Sequence, residues 1–325
     1  MTSFQKKLCN VLQEGLPICR RSFAEIAKIL ASDESKVLQQ TNRLKELGVI
    51  RRICGLINYR ALGMASTLVA AHVPPDIAKQ VAKAINSLEG VSHNYQRNHY
   101  YNLWFTLRAP TTSQIEMTLA ELSGRFGVDF HSLKAVRAFK LDVRFDAQSG
   151  GRKLLQDSER ISPLSPRPLA GANKPARVEI NQDQRKVIAG LQDALEITAE
   201  PFAFLCSEGL QEEDVLRIIT ELTDKGVIRR IAAVVDHRKL GFVANVLFAC
   251  EVPPDRIVRA GERLASLPIV SHCYERQTFE GWPYNLFAMM HGQNVSEIQH
   301  AINKFTQAEA IHSFQLLPTE ARLRT

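Results

Sequence analysis

The chain has 325 residues, more than one average domain needs, and an ordinary globular composition with 45% hydrophobic and 23% charged residues. Its formal charge of +7 favours an anionic partner, and nucleic acid, acidic small molecules and anionic membrane surfaces all qualify. No apolar run reaches the roughly 20 residues of a membrane-spanning helix, the start MTSFQKKLCNVLQEG lacks a signal-peptide core, and the 6 cysteines show no Cys-x-x-Cys pair or zinc spacing. The expectation is a cytoplasmic protein with reduced thiols and no membrane contact.

Residues 1–60 read as a helix-turn-helix domain. Phe23, Ile26, Ala27 and Leu30 fall at helical spacing, Ser32 or Asp33 caps after a break, and Val37, Leu38, Leu44 and Leu47 resume the period. Residues 61–145 then give strand, helix, two hairpin strands, helix and strand: STLVAAHV, PDIAKQVAKAINSLEG, VSHNYQR, YNLWFTLR, TSQIEMTLAELSGRFG and VDFHSLKAVRAFK. That βαββαβ order is a ferredoxin-like sandwich.

Residues 146–178, rich in Pro, Gly, Ser and basic side chains, read as a solvated linker. After it the plan repeats, with a helix-turn-helix over 179–238 and a ferredoxin-like domain over 239–325. Val215, Ile218, Ile219 and Leu222 form the second apolar face, and Gly209 lies at the turn. Four anchors recur in order: GVIRRI at Gly48 and Gly226, VPPD at Val73 and Val252, VSHNYQR at Val91 against VSHCYER at Val270, and YNL at Tyr101 and Tyr284. The fold class is therefore α+β, a tandem duplication whose second copy carries extra residues, FEGWP, before its YNL.

Alternate residues of a strand share a face, so His93, Tyr95 and Arg97 align, as do His272, Tyr274 and Arg276. Arg grips carboxylates with a forked cation, His exchanges protons near neutrality, and Tyr donates a hydrogen bond. Such a face suits binding an acid and moving a proton, and its duplication argues against a merely solvated sheet surface. Alternation also sets Arg51 and Arg52, and likewise Arg229 and Arg230, on opposite faces, so one of each pair points inward as a substrate-binding candidate. His99, in the first hairpin turn, and His291, after the second hairpin, are either structural or ligands to a substrate or metal. Gly-rich phosphate loops, HExxH and Ser-His-Asp signatures are absent.

A helix-turn-helix followed by βαββαβ resembles the Lrp/AsnC regulators over each half, which implies DNA binding by the first part, small-ligand binding by the second, and domains paired through their sheets. On that resemblance the two halves form an intramolecular pseudo-dimer, with further pairing into a homodimer left open. DNA binding is disfavoured, because the second recognition helix opens with Glu212, Glu213 and Asp214, which would meet phosphate with like charge.

The motifs GVIRRI, VSHNYQRNHYYNLWFTL and VSHCYERQTFEGWPYNLFAMMHG more specifically resemble the siroheme decarboxylases, in the fused two-subunit form of haem d1 biosynthesis. The resemblance implies loss of CO2 from the C12 and C18 acetates of siroheme, giving 12,18-didecarboxysiroheme. It implies no cofactor of the protein's own, the iron belonging to the substrate. His93, Tyr95, His272 and Tyr274 would then be catalytic, and Arg51, Arg52, Arg97, His99, Arg229, Arg230 and Arg276 would bind substrate, with His99 an alternative axial contact to the iron. A DNA-binding regulator and a non-catalytic tetrapyrrole carrier remain the competing readings.

Overall fold

A computed structural model describes residues 1–156, 177–207 and 209–324. In the first copy α1 (Ser3–Glu14), α2 (Ser22–Ile29) and α3 (Glu34–Glu46) lead into β1 (Ile50–Ile57). Then follow β2 (Ala65–Ala71), α4 (Ala78–Asn86), β3 (Val91–Arg97), β4 (Leu103–Ala109), α5 (Thr112–Phe126) and β5 (Phe130–Leu141). The second copy runs α6 (Gln182–Gln192), α7 (Glu212–Asp224), β6 (Ile228–Val235), β7 (Ala244–Cys250), α8 (Ile257–Ser266), β8 (Val270–Arg276), β9 (Leu286–Gly292), α9 (Val295–Ala308) and β10 (Phe314–Arg322).

These elements assemble by type rather than by copy. One unit holds Met1–Leu62 and the described residues between Val143 and Val243, and the other holds Gly63–Asp142 and the residues from Ala244 onward. The helix-turn-helix unit is built around antiparallel β1 and β6, with Leu8, Leu12, Phe23, Val37, Ile53, Val187, Val215, Ile219 and Ile231 in one core. Of the two capping candidates before α3, Asp33 is the cap: its side chain accepts from the Lys36 backbone N–H.

Three local expectations change in this unit. Where copy one has α2, the described residues of copy two have only a 3-10 turn, Ala203–Leu205. The expected linker begins as core: Ala147 and Leu154 are buried beside Phe145, and α1 clasps the segment. The Asn10 amide donates to Asp146 Oδ1 at 2.9 Å and accepts from the Ala147 N–H at 2.8 Å, while Gln13 donates to Phe145 O and accepts from its N–H. The part of the expected linker on residues 157–176 lies outside the described residues.

The third change concerns the arginine pairs. β1 and β6 each carry a bulge, at Arg51 and Arg229, where the register slips between Ile50 and Arg52 and between Ile228 and Arg230. A bulge cancels strict alternation. Arg51 and Arg52 are both exposed; Arg229 donates to Asn58 Oδ1, and Arg230, 9% exposed, donates to Val143 O.

In the second unit the two ferredoxin-like halves close one eight-stranded barrel, β10-β3-β4-β2-β5-β8-β9-β7. Each half keeps its four-stranded antiparallel order, and the halves join at two seams, β3 with β10 and β5 with β8. Helices pack outside over two apolar layers, Val69, Phe105, Ile115 and Leu119 in one half and Val246, Phe248, Ile298 and Ile302 in the other. The opposite faces of the strands contribute the interior cluster of Ala70, Trp104, Leu133, Leu247, Ala249, Trp282, Phe287 and Leu317. Barrel closure leaves neither half with an open sheet edge at the seams.

Candidate active site

Register decides which way the polar rows point. Tyr95 lies opposite Trp104 and His93 opposite Thr106, while Tyr274 lies opposite Phe287 and His272 opposite Met289. Directly opposed residues share a face, and Trp104, Phe287 and Met289 belong to the interior cluster. Both His-Tyr-Arg rows therefore face the barrel interior.

Within each row the side chains are in sequence contact. The His93 and Tyr95 ring centroids are 6.1 Å apart and the Arg97 guanidinium lies 5.4 Å from the Tyr95 centroid. The second row repeats this at 6.3 Å for His272 and Tyr274 and 4.8 Å for Arg276 over Tyr274.

The arginines also tie the seams. Arg97 is 3% exposed, and its Nη1 donates to Leu317 O at 2.6 Å and Thr319 Oγ1 at 3.1 Å on β10. Arg276 Nη1 donates to Leu133 O on β5 at 2.9 Å. Each arginine thus crosses to a backbone carbonyl of the other copy. Burial lowers the Arg97 pKa to about 10, with Tyr95 opposing, so the group remains a cation at neutral pH.

A strand bulge precedes each histidine, at Ser92 and Ser271. Ser92 Oγ is 3.0 Å from His93 Nδ1 and 2.8 Å from Thr106 Oγ1. Ser271 Oγ is 2.9 Å from His272 Nδ1 and 2.8 Å from His291 Nε2. In both copies a serine hydroxyl engages the histidine's Nδ1.

The surroundings of the two histidines differ. His93 keeps an exposed surface, yet protein crowds around its ring. That crowding, with the cationic Arg322, Arg108 and Arg324, lowers its pKa to about 4, so it is neutral at pH 7 in the empty protein. In the second copy Met289 replaces the hydroxyl of Thr106, and the buried His291 stands where copy one has Arg108.

His99 Nδ1 accepts the Tyr101 backbone N–H at 3.0 Å, which requires the proton of the neutral ring to sit on Nε2. An Nε2 in that state is a donor, not a metal ligand. Burial also lowers the His99 pKa. The extra residues of copy two pack beside it: Trp282, 1% exposed, lies 5.5 Å from His99, 5.6 Å from Tyr101 and 5.4 Å from Trp104, and Phe279 stacks on His131 at 4.0 Å.

Of the expected site residues, His93, Tyr95, Arg97, His99, His272, Tyr274 and Arg276 belong to the barrel unit, whereas Arg51, Arg52, Arg229 and Arg230 belong to the helix-turn-helix unit. Sequence reading missed Ser92 and Ser271, although the serine recurs in both VSH motifs. Arg322 and Arg324 gave no signal, since only the β3–β10 seam brings the chain's end to His93. Among the described residues no group of three His, Cys, Asp or Glu is placed to hold a metal ion, and no helix is long and apolar enough to cross a membrane.

The profile of the AsnC-like ligand binding domain matches residues 61–140 and 239–324, and that of the siroheme decarboxylase NirDL-like HTH domain matches residues 5–51. A siroheme decarboxylase of Hydrogenobacter thermophilus is 33% identical over 96% of this chain and 90% of its own. The chain belongs to the siroheme decarboxylase family. A second family member, the siroheme decarboxylase NirDL subunit of Paracoccus denitrificans, is 29% identical over 98% of this chain and 93% of its own. A crystal structure of siroheme decarboxylase NirDL superposes with a TM-score of 0.74 at 29% identity, covering 99% of this chain and 93% of that one. Another, in complex with an iron-uroporphyrin III analogue, gives 0.73 at 28% identity over 98% and 92%. Family membership makes the chain a carboxy-lyase.

Proposed function

We propose that this chain removes CO2 from the C12 and C18 acetates of siroheme inside its barrel, giving 12,18-didecarboxysiroheme for haem d1 synthesis in the cytoplasm. The observation that carries the reading is the pair of His-Tyr-Arg rows, both turned to the interior and both with a serine on the histidine's Nδ1. The complex of a family member with an iron-uroporphyrin III analogue supports a tetrapyrrole as the occupant.

Siroheme is a flat, carboxylate-fringed macrocycle, and the aromatic cluster around Trp282 gives the barrel interior an apolar, ring-rich wall. Cationic Arg108, Arg322 and Arg324 around His93 suit its carboxylates. Arg97 and Arg276 add charge to that field while holding the seams. Breaking each C–CO2 bond leaves an electron pair that the conjugated ring delocalises, and a proton must reach the carbon to make a methyl group. His93 and His272 are placed to handle that proton, with Tyr95 and Tyr274 donating hydrogen bonds. The reaction so written calls on no cofactor of the protein's own. Arg51, Arg52, Arg229 and Arg230 are assigned to the β1–β6 unit, and DNA is no partner, given the acidic start of α7 and the missing helix before it.

Anaerobic incubation of the protein with siroheme, followed by mass spectrometry, tests the reading. Two successive losses of CO2 are expected. A bound but unchanged tetrapyrrole would make the protein a carrier, and no binding would return it to the regulators.

A further inference from the structure

The residues FEGWP ahead of the second YNL bring one side chain into the barrel. A tight turn does this: the Trp282 backbone N–H donates to Phe279 O at 2.9 Å, with Gly281 in the left-handed region at φ 79. Trp282 is then 1% exposed within the interior cluster that holds Trp104, Leu247, Phe287 and Leu317.

The two tryptophans of the chain touch, with ring centroids 5.4 Å apart, but their indole nitrogens differ. Trp104 Nε1 donates to Tyr101 O at 2.6 Å, whereas the buried Trp282 Nε1 meets no acceptor among the described residues. The rings of His99, Tyr101 and Tyr284 stand T-shaped to it at 5.5, 5.6 and 4.8 Å, and a ring face is only a weak acceptor. Packing does not call for such a donor, since a purely apolar side chain would line the wall without the cost of an unpaired N–H. An indole nitrogen only donates, so the group that satisfies it must bring an acceptor.

We propose that Trp282 is a substrate-binding residue whose indole N–H donates to a carboxylate on the rim of the tetrapyrrole. The inference rests on the decarboxylase reading and adds a contact atom to it. In a ring-lined wall of low dielectric, a carboxylate makes a strong hydrogen bond even with a neutral donor. The rings around the indole, His99, Tyr101, Phe279 and Tyr284, are half-buried and lie in the β3–β4 and β8–β9 connections. The substrate reaches the N–H by displacing side chains on those connections, and the strands of the barrel keep their register.

The test has a readout independent of turnover. Because the chain has only 2 tryptophans, 15N-indole-labelled protein gives one N–H signal for each, and Trp282→Phe assigns them. Metal-free uroporphyrin III is the probe, being diamagnetic and carrying a full set of carboxylates. Its binding should move the Trp282 signal downfield, with nitrogen displaced by more than the proton; ring current from the macrocycle displaces both equally. Trp282→Phe, which keeps an aromatic ring and drops the N–H, should weaken siroheme and uroporphyrin binding by roughly 10- to 100-fold, with kcat at saturation within about threefold. Native affinity in that variant overturns the proposal, as does a Trp282 signal in the native chain that binding leaves unmoved or moves by ring current alone. If Trp282→Phe does not fold, the signal of the native chain decides, and Trp104→Phe supplies its assignment. A native chain that shows the Trp282 shift and binds siroheme without releasing CO2 would instead sink the decarboxylase reading and leave the contact standing.

Discussion

Replacing Arg97 with Ala separates the two jobs open to that side chain, seam anchor and carboxylate ligand. The guanidinium is 3% exposed and spends Nη1 on Leu317 O and Thr319 Oγ1 across the β3–β10 seam. Charged donors to neutral acceptors contribute about 1.5–3 kcal/mol each, and stacking over Tyr95 about 0.5–1 kcal/mol more. The substitution leaves the Leu317 carbonyl without that donor and removes buried packing, so a loss of roughly 3–5 kcal/mol is expected. At about 2–4 °C per kcal/mol for a unit of this size, the melting temperature should fall by about 6–20 °C. Urea denaturation followed by circular dichroism supplies the midpoint, and a siroheme titration at a temperature where the variant is folded supplies the affinity. An anchor predicts a large stability loss with affinity nearly kept. If stability is native and siroheme affinity collapses, the seam assignment is wrong and the side chain is a carboxylate ligand.

Three other outcomes follow from the geometry. Because His99 Nδ1 accepts the Tyr101 N–H, His99→Ala should leave the absorption and spin state of bound siroheme iron unchanged; a shifted Soret band in that variant would restore the axial-ligand reading. The His93 ring should titrate near pH 4 in the empty protein, by histidine NMR, and move upward once an anionic tetrapyrrole offsets Arg322, Arg108 and Arg324. Since its folded pKa lies below the unfolded value of about 6.5, the unfolded chain binds more protons between those two values. The His93 contribution to stability is therefore present above about pH 6.5 and is lost as pH falls toward 4. His93→Asn should flatten that part of the urea midpoint against pH, and an unchanged slope would refute the assignment.

How far the sequence reached depended on whether a feature was local. The row of His93, Tyr95 and Arg97 needs only the two-residue period of a strand, and duplication made its direction credible, so it was legible. Strict alternation failed at Arg51 and Arg229 because a bulge inserts one residue where local pattern gives no sign. The seam contact of Arg97 was hidden for a different reason. Its acceptor, Leu317, lies on the last strand of the other copy, and nothing in VSHNYQR announces that seam. Arg322 and Arg324 were invisible for the same cause. The clasp of Asn10 and Gln13 on Phe145 and Asp146 shows how a polar, glycine-rich stretch can still be core once α1 supplies its backbone with partners.

The fusion of two copies bears directly on the chemistry, because a homodimer of identical chains must present the same row twice. Here the copies have parted at the residues behind the serine: Thr106 and Arg108 in one, Met289 and His291 in the other. A double variant tests whether that difference is mere hydrogen-bond satisfaction. Met289→Thr with His291→Ala returns to Ser271 a hydroxyl partner like the one Ser92 has, at a packing cost of about 1–3 kcal/mol from the interior cluster. If His291 only satisfies a buried hydroxyl, the double variant should turn over siroheme like the native chain. If the imidazole itself is needed beside Ser271, kcat stays low even though the barrel folds and binds siroheme. Native kcat in the double variant would reduce the asymmetry between the two rows to packing.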